Sequence, residues 1–411
     1  MSEFLTLLSP QAALERWLNA LSDPEPDGED IPTTEALGRV TISGIRSPEP
    51  LPSFPRSTVD GYAVRAADTF GASDSLPAYL KLVGEVGMGK APDFVLQPGQ
   101  AALIYTGGML PEGADAVVML EHTQITLPGE VEVLRAVAVG ENVLKVGEDV
   151  QVGDEVIPAG VRLRPAEIGG LMGLGITKLR VAKRPCVGII SSGDEVIPPD
   201  QPLGPAQVRD INSYSISALI EMYGGVPRRY GIVPDREDAL RDVLTRALNE
   251  NHMVIISAGS SISTRDLTAR VIDEMGPPGV LAHGINIRPG KPTILAVCHG
   301  KPVLGLSGNP VSALVVASLF LPAVLDKLSG VKLRRPRARV QARLTINLPS
   351  QAGREDYVPV RLIETHEGYL AEPIFYKSNL IFSLVRADGV LCIPADATGL
   401  GLGATAEVWL L

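Results

Sequence analysis

The sequence predicts a multidomain protein of mixed class: an α/β unit with a central, doubly wound, mostly parallel sheet, flanked by two β-rich regions. Three observations lead there. The chain has 411 residues, which at roughly 100–200 residues per domain suggests two to four domains. Between about 183 and 330, short apolar strands alternate with amphipathic helices, the spacing of a doubly wound sheet. On either side, Gly, Pro and Val in short alternating runs replace the helical pattern, as strands between turns do.

The elements follow in order. Ser9 suits a helix cap, Pro10 its first turn, and Ala13, Leu14, Trp17, Leu18 and Leu21 share one face. The acidic, proline-rich stretch 22–30 ends that helix. Stretches 101–105, 116–120 and 131–134 read as strands, and 165–174 as a short helix with Pro165 in its first turn. In the third zone, 186–191, 226–233, 253–257, 293–297 and 303–306 are predicted strands. The helices between and after them are 213–223, 235–249, 265–275 and 310–328. Asp235 is placed to cap the second, with Leu240, Val243, Leu244, Ala247 and Leu248 inward. Beyond 331, short strands such as 389–393 and 406–411 indicate a small all-β domain. The basic stretch leading into it, 331–340, reads as a solvated linker and edge strand.

Composition narrows the function classes. With 45% hydrophobic and 20% charged residues the chain can bury a sizeable core unaided. A net charge of -10 argues against a dominant nucleic-acid or anionic-membrane surface. Cys186, Cys298 and Cys392 form no CxxC, and the five histidines show no metal-ligand spacing. No secretory signal opens the sequence, and the longest apolar run, 311–325, falls short of a membrane span. These features lead us to expect a cytoplasmic protein with no nucleic-acid or membrane partner.

In open α/β sheets ligands bind beyond the carboxyl ends of the strands. The loops expected there contain Ser191-Ser192-Gly193-Asp194-Glu195, Asp235, the 258–266 loop ending at Asp266, Arg288-Pro-Gly-Lys291 and Ser307-Gly308-Asn309-Pro310. Gly and Ser loops open backbone N–H groups toward an anion, and helix N-termini add positive potential. Carboxylates repel a phosphate but can hold Mg²⁺, which bridges its oxygens. Each part alone has a plainer reading: Asp235 as a cap, Asn309-Pro310 as a helix start, Asp194 and Glu195 as a solvated loop. Their gathering on one sheet edge favours a site. Further upstream stand Asp60-Gly-Tyr-Ala-Val64, Thr106-Gly-Gly and Gly147-Glu-Asp149.

Taken together, Asp60-Gly-Tyr-Ala-Val64, the 106–115 loop, Gly147-Glu-Asp149, Ser192-Gly-Asp-Glu195, Arg288-Pro-Gly-Lys-Pro292 and Gly305-Leu-Ser-Gly-Asn-Pro-Val-Ser-Ala313 resemble the molybdopterin molybdenumtransferases. This fold family includes the C-terminal domain of gephyrin. The match runs in order over nearly the whole chain. The resemblance implies an elongated N-terminal region (1–50 and 141–182) with an inserted β domain (51–140), an α/β molybdopterin-binding domain (183–330) and a small β-barrel-like C-terminal domain (331–411). It implies Mg²⁺-dependent insertion of molybdate, the substrate, into adenylylated molybdopterin, releasing AMP and molybdenum cofactor.

It further implies a homodimer, with the α/β domain of one subunit facing the β-rich part of the other, and leaves open a molybdopterin adenylyltransferase as a further partner. By the same resemblance Asp60, Thr106, Asp149, Glu195, Asp235 and Asp266 are catalytic, the last three being metal ligands. Ser192, Gly193, Gly259, Ser260, Arg288, Lys291, Gly308, Asn309, Arg361 and Ser378 would bind substrate. The sequence departs from the family pattern at 257–263, where two glycines are lost, and at Arg288, where the family has Lys. It departs again at Pro359, where an arginine is lost and Arg361 is expected to replace it. Two other readings compete: a molybdopterin adenylyltransferase or nucleotide pyrophosphatase, and a non-enzymatic scaffold of the gephyrin type.

Overall fold

The structure, a computed structural model, describes residues 7–411 apart from 24, 260, 261, 337 and 376, and describes no side chains for 262–265. Helix α1 (Pro10–Asn19) forms where the sequence predicts it: Ser9 Oγ accepts the Ala12 N–H at 3.2 Å and Pro10 occupies the first turn. Its destination differs from the expectation that 1–50 belongs with the N-terminal region. Ala13, Trp17 and Leu21 pack into the core of the α/β unit. The Trp17 indole donates to the Ala296 carbonyl at 2.8 Å and meets Phe320 edge-on with centroids 6.4 Å apart. A periodic apolar face shows that a helix must be covered but not by what.

The rest of the N-terminal region closes on itself across a long gap. Strand Gly28–Pro32 pairs antiparallel with Lys178–Ala182, and Ile45–Arg46 with Glu155–Ile157. Ala36, Ile157, Val161, Leu163, Leu171 and Val181 form its core, with α2 (Pro165–Gly173). Glu167 on α2 pairs with Arg164 at 2.8 Å and with Arg335 at 2.9 Å. The hydrogen bonds from Arg164, opposed by burial, hold the Glu167 carboxyl at about 2. Arg335 also donates to the Arg162 carbonyl at 3.1 Å, so the basic 331–340 stretch, expected as a solvated linker, partly docks here.

The inserted domain is pinned at its base by the short pair Arg56–Ser57 with Val143–Leu144. Above it lies a six-stranded mixed sheet, in order Ala116–Met119, Gly61–Val64, Gln100–Ile104, Ala78–Val86, Glu130–Val133, Thr123–Gln124.

The central sheet runs Val226–Val233, Cys186–Ser192, Met253–Ala258, Lys301–Ser307, Ile294–Cys298, Pro278–His283. The first four strands are mutually parallel, and Ile294–Cys298 is antiparallel to both its neighbours. Strand Pro278–His283 was not anticipated: a sequence opening Pro-Gly gives no alternating pattern. On one face lie α1, α3 (Asn212–Met222) and α6 (Pro310–Leu328); on the other lie α4 (Glu237–Glu250) and α5 (Ile262–Asp273). Helix α6 is long and apolar enough to cross a bilayer, but here its Val311, Val316, Phe320, Leu321 and Leu325 are buried in this core.

In the C-terminal domain Glu355–Thr365, Gly368–Pro373, Arg339–Leu344, Thr405–Leu410 and Gly389–Ile393 pair in that order, and the last returns to the first. Five strands thus close a small barrel around Leu344, Val360, Ala371, Leu391 and Val408, with α7 (Phe382–Val385) beside it. One strand crosses between domains. Ile287–Arg288 of the α/β unit pairs parallel with Glu355–Asp356 of the barrel.

Candidate active site

Two cavities with polar side chains in their walls adjoin at the carboxyl edge of the central sheet. The first, about 300 Å³, is lined by Ser192, Glu195, Asp210, Asn212, Gly259 and Asn309 among others, Gly308 included. Its walls are cross-braced. Ser192 Oγ donates to Asp235 at 2.6 Å, and Ser191 Oγ to Asp210 at 2.9 Å. Asp210 also accepts the Ser213 N–H, in the first turn of α3, at 3.1 Å. The Asn212 amide donates to Ser257 Oγ at 2.6 Å and to the Gly308 carbonyl at 3.1 Å. A Cβ on Gly308 would stand 3.0 Å from the Ala258 carbonyl oxygen, so the close approach of these two loops favours glycine: a side chain there would push backbone by a few tenths of an ångström.

The second cavity, about 660 Å³, lies where the α/β unit meets the barrel. Arg288, Lys291, Arg354 and Lys377 line it together with Ser312 and Ser378, and among the described residues no lining residue is acidic. Gly290 makes the turn between Arg288 and Lys291 at φ +105°, a conformation that favours glycine. The cavities share a border. Asn309 and Pro310 line the first and Ser312 the second, while the Val311 N–H donates to the Ser378 carbonyl at 3.0 Å. The N-terminus of α6, with its positive potential, therefore lies between them. Four cations and a helix N-terminus at one hollow give it the charge that attracts a multiply charged oxyanion, and the Gly/Ser loops beside it have backbone N–H groups of the kind that receive phosphate. A third cavity of about 450 Å³, between α3, α6 and the barrel, is lined by apolar and hydroxyl side chains such as Leu219, Tyr223, Leu314 and Trp409.

Comparison with known proteins covers nearly the whole chain. Family models match residues 8–175 (MoeA N-terminal region, domain I and II), 188–327 (probable molybdopterin binding domain) and 341–411 (MoeA C-terminal region, domain IV). The chain belongs to the MoeA family. A putative molybdopterin biosynthesis protein of Methanocaldococcus jannaschii is 35% identical over 100% of this chain and 99% of its own. A molybdopterin molybdenumtransferase of Haemophilus influenzae is 30% identical over 98% of each chain. The crystal structure of the molybdopterin biosynthesis moeA protein of Pyrococcus horikoshii OT3 superposes with a TM-score of 0.84 at 33% identity, covering 99% of this chain and 100% of that one.

Among the residues expected from this MoeA resemblance, Ser192, Glu195, Gly259, Gly308 and Asn309 gather in the first cavity, and Arg288, Lys291 and Ser378 in the second. Gly193 makes the turn after Ser192 at φ +152°. Asp235 stands behind Ser192 and does not cap α4: that helix starts at Glu237 with Arg236 at its cap position. Hydrogen bonding to Ser192 replaces the local capping bond.

Asp60, on the inserted domain, is exposed and accepts both the N–H (2.7 Å) and the hydroxyl (2.8 Å) of Thr106. These two donors hold its carboxyl below the ordinary value, the backbone one more strongly. Asp149 is exposed in the turn after Gly147. Neither of the two polar cavities is lined by Asp60, Thr106 or Asp149. Asp266 is exposed on α5, and Ser260 lies outside the described residues. Among the described residues no group of three or more His, Cys, Asp or Glu is placed to hold a metal ion, so Glu195, Asp235 and Asp266 are not brought together as the expected triad.

Arg361 is likewise not at the pocket: it is exposed on Glu355–Thr365, across from Glu372. The barrel arginine that lines the cavity is Arg354, immediately before the same strand, and Lys377 joins it. Neither was singled out from sequence. The available signal was an arginine, Arg354, five residues before Pro359, where the family pattern is broken.

Proposed function

We propose that this chain is a molybdopterin molybdenumtransferase, inserting molybdate into adenylylated molybdopterin and releasing AMP and molybdenum cofactor. The observation that carries the reading is the pocket of Arg288, Lys291, Arg354 and Lys377, which adjoins the Ser/Gly/carboxylate cavity across the α6 N-terminus. Molybdate is a dianion, and four cations around one hollow are favourable together mainly when an anion sits among them. Ser312 and Ser378 add hydroxyl donors at the same wall. The neighbouring cavity would hold the phosphate part of the substrate, with Ser192 oriented by Asp235 and the backbone of Gly259 and Gly308 open to close approach.

Mg²⁺ is usually bound through one or two carboxylates, with phosphate oxygens and waters completing its shell. Asp235 and Glu195, one braced to Ser192 and the other lining the cavity beside it, suit that partial donor set without an all-protein cage. Bound there, the ion would offset phosphate charge. In this reading the enzyme is a cytoplasmic homodimer, and Asp60 and Thr106 act on the cleft of the partner subunit.

The test is direct. Purified protein is incubated with adenylylated molybdopterin, Mg²⁺ and molybdate, and AMP and molybdenum cofactor are measured. Molybdate-stimulated AMP release is expected. ATP consumption with free molybdopterin would instead make the chain an adenylyltransferase, and no turnover of either substrate would favour the scaffold.

A further inference from the structure

We propose that Asp356 is a positioning residue for the anion pocket, holding Arg354 and Arg288 in place from behind the cavity wall; this rests on the oxyanion reading above. The Asp356 side chain is 5% exposed and does not line the cavity. Arg354 donates to it through two nitrogens, Nε to Oδ1 at 2.8 Å and Nη2 to Oδ2 at 3.3 Å. Arg288 Nη1 lies 3.8 Å from Oδ2. Backbone pairing fixes this meeting, because Arg288 and Asp356 are partners on one rung of the only strand pair described between the α/β unit and the barrel.

The chemistry explains why a buried carboxylate belongs there. Four cations facing one hollow repel one another when it is empty, and long side chains relieve that repulsion by swinging into solvent. A counter-charge inside the hollow would compete with the anion. Placed behind the wall, it can pair the two arginines while leaving their other donors to the hollow. A guanidinium has five N–H donors in a rigid fork. Asp356 engages the Nε/Nη2 edge of Arg354, so the Nη1 edge is held at one angle, ready for an oxyanion. The anion then binds without having to order that side chain first.

Position and charge make opposite forecasts, which is what makes the idea testable. If Asp356 mattered only as a negative charge near the pocket, removing it would tighten binding of a dianion. If it positions Arg354, Asp356→Asn weakens binding, because the amide turns N–H donors toward the guanidinium. The experiment is calorimetric titration of sodium molybdate into the full-length protein, with thermal unfolding recorded for each variant. For Asp356→Asn the half-saturating molybdate concentration should rise about tenfold or more, the worth of one charge-assisted contact.

In an Arg354→Ala background, Asp356→Asn should cause much less further weakening, since only the longer Arg288 contact is then left to lose; a merely structural role would weaken both backgrounds alike. Should Asp356→Asn fail to fold, Arg354→Lys tests the contact from the other side. It keeps the charge but cannot engage both carboxylate oxygens in a fork, and should weaken molybdate as much as Arg354→Ala. Arg354→Lys binding like wild type would overturn the proposal, as would Asp356→Asn binding as tightly as wild type or tighter. If Arg354→Ala and Lys291→Ala both leave molybdate binding unchanged, the oxyanion pocket itself is wrong, and the positioning role falls with it.

Discussion

Gly290 offers the sharpest test of how the pocket is built. Its φ of +105° is unfavourable for any residue with a Cβ, and a Cβ built there falls well inside contact distance of Val316 Cγ2. Val316 is 1% exposed within α6, so it has nowhere to retreat. Two costs follow for Gly290→Ala: about 1–2 kcal/mol for the backbone conformation and about 1–3 kcal/mol for overpacking. Together about 2–5 kcal/mol is a large fraction of the roughly 5–15 kcal/mol that holds a domain folded.

Because the chain is multidomain, the assay must report on one unit. Trp17 lies in the α/β core, so its fluorescence during urea unfolding, in a Trp409→Phe background, reads the relevant transition. The midpoint should fall clearly in Gly290→Ala. Val316→Ala alone costs about 2 kcal/mol through lost methyl groups. The double variant should cost less than the sum, since the new methyl fills the space vacated. An unshifted midpoint in Gly290→Ala, or strict additivity in the double variant, would refute the reasoning.

Three further outcomes are expected. Thr106→Val removes the hydroxyl donor but not the N–H donor, so the Asp60 carboxyl should rise toward the ordinary value without reaching it, as read by carboxyl NMR titration; no movement would deny the Thr106–Asp60 pairing. Glu167 has its carboxyl lowered from 4.5 to about 2, so its contribution to stability is present above about 4.5 and lost as pH falls through about 2. Glu167→Gln should therefore lower stability at neutral pH and flatten its fall across that window, measured by thermal unfolding at stepped pH. Lastly, mixed dimers of Asp60→Ala and Glu195→Ala chains should regain activity at one of their two sites, and verified heterodimers without activity would place each site within a single chain.

The sequence displayed what local chemistry determines. Alternating strands and helices located the sheet, and the loops beyond its strands supplied most of both cavities: Ser192, Glu195, Gly308, Arg288 and Lys291. What it hid was set by tertiary partners. Asp235 reads as a cap because cap residues are defined by their neighbours in sequence, yet Ser192, forty-three residues away, takes its carboxylate. Arg354 outcompetes Arg361 because the pocket forms at the rung shared by Arg288 and Asp356, near the start of the strand, and no periodicity within the barrel marks that end. The carboxylates Glu195, Asp235 and Asp266 read alike as loop acids, but in the fold Glu195 lines the first cavity, Asp235 accepts the Ser192 hydroxyl and Asp266 is exposed on α5.

The bond from Trp17 to Ala296 spans 279 residues of chain and orders the events of synthesis. When α1 leaves the ribosome, the strand that will cover it is not yet made. The inserted domain, pinned by Arg56–Ser57 and Val143–Leu144, can mature long before. Until residues 294–298 emerge, the apolar face of α1 must wait without the strand it packs on, open to wrong association on the nascent chain. Stalling translation just before and just after that strand clears the exit tunnel should switch Trp17 from quenchable to protected, while the inserted domain resists protease in both.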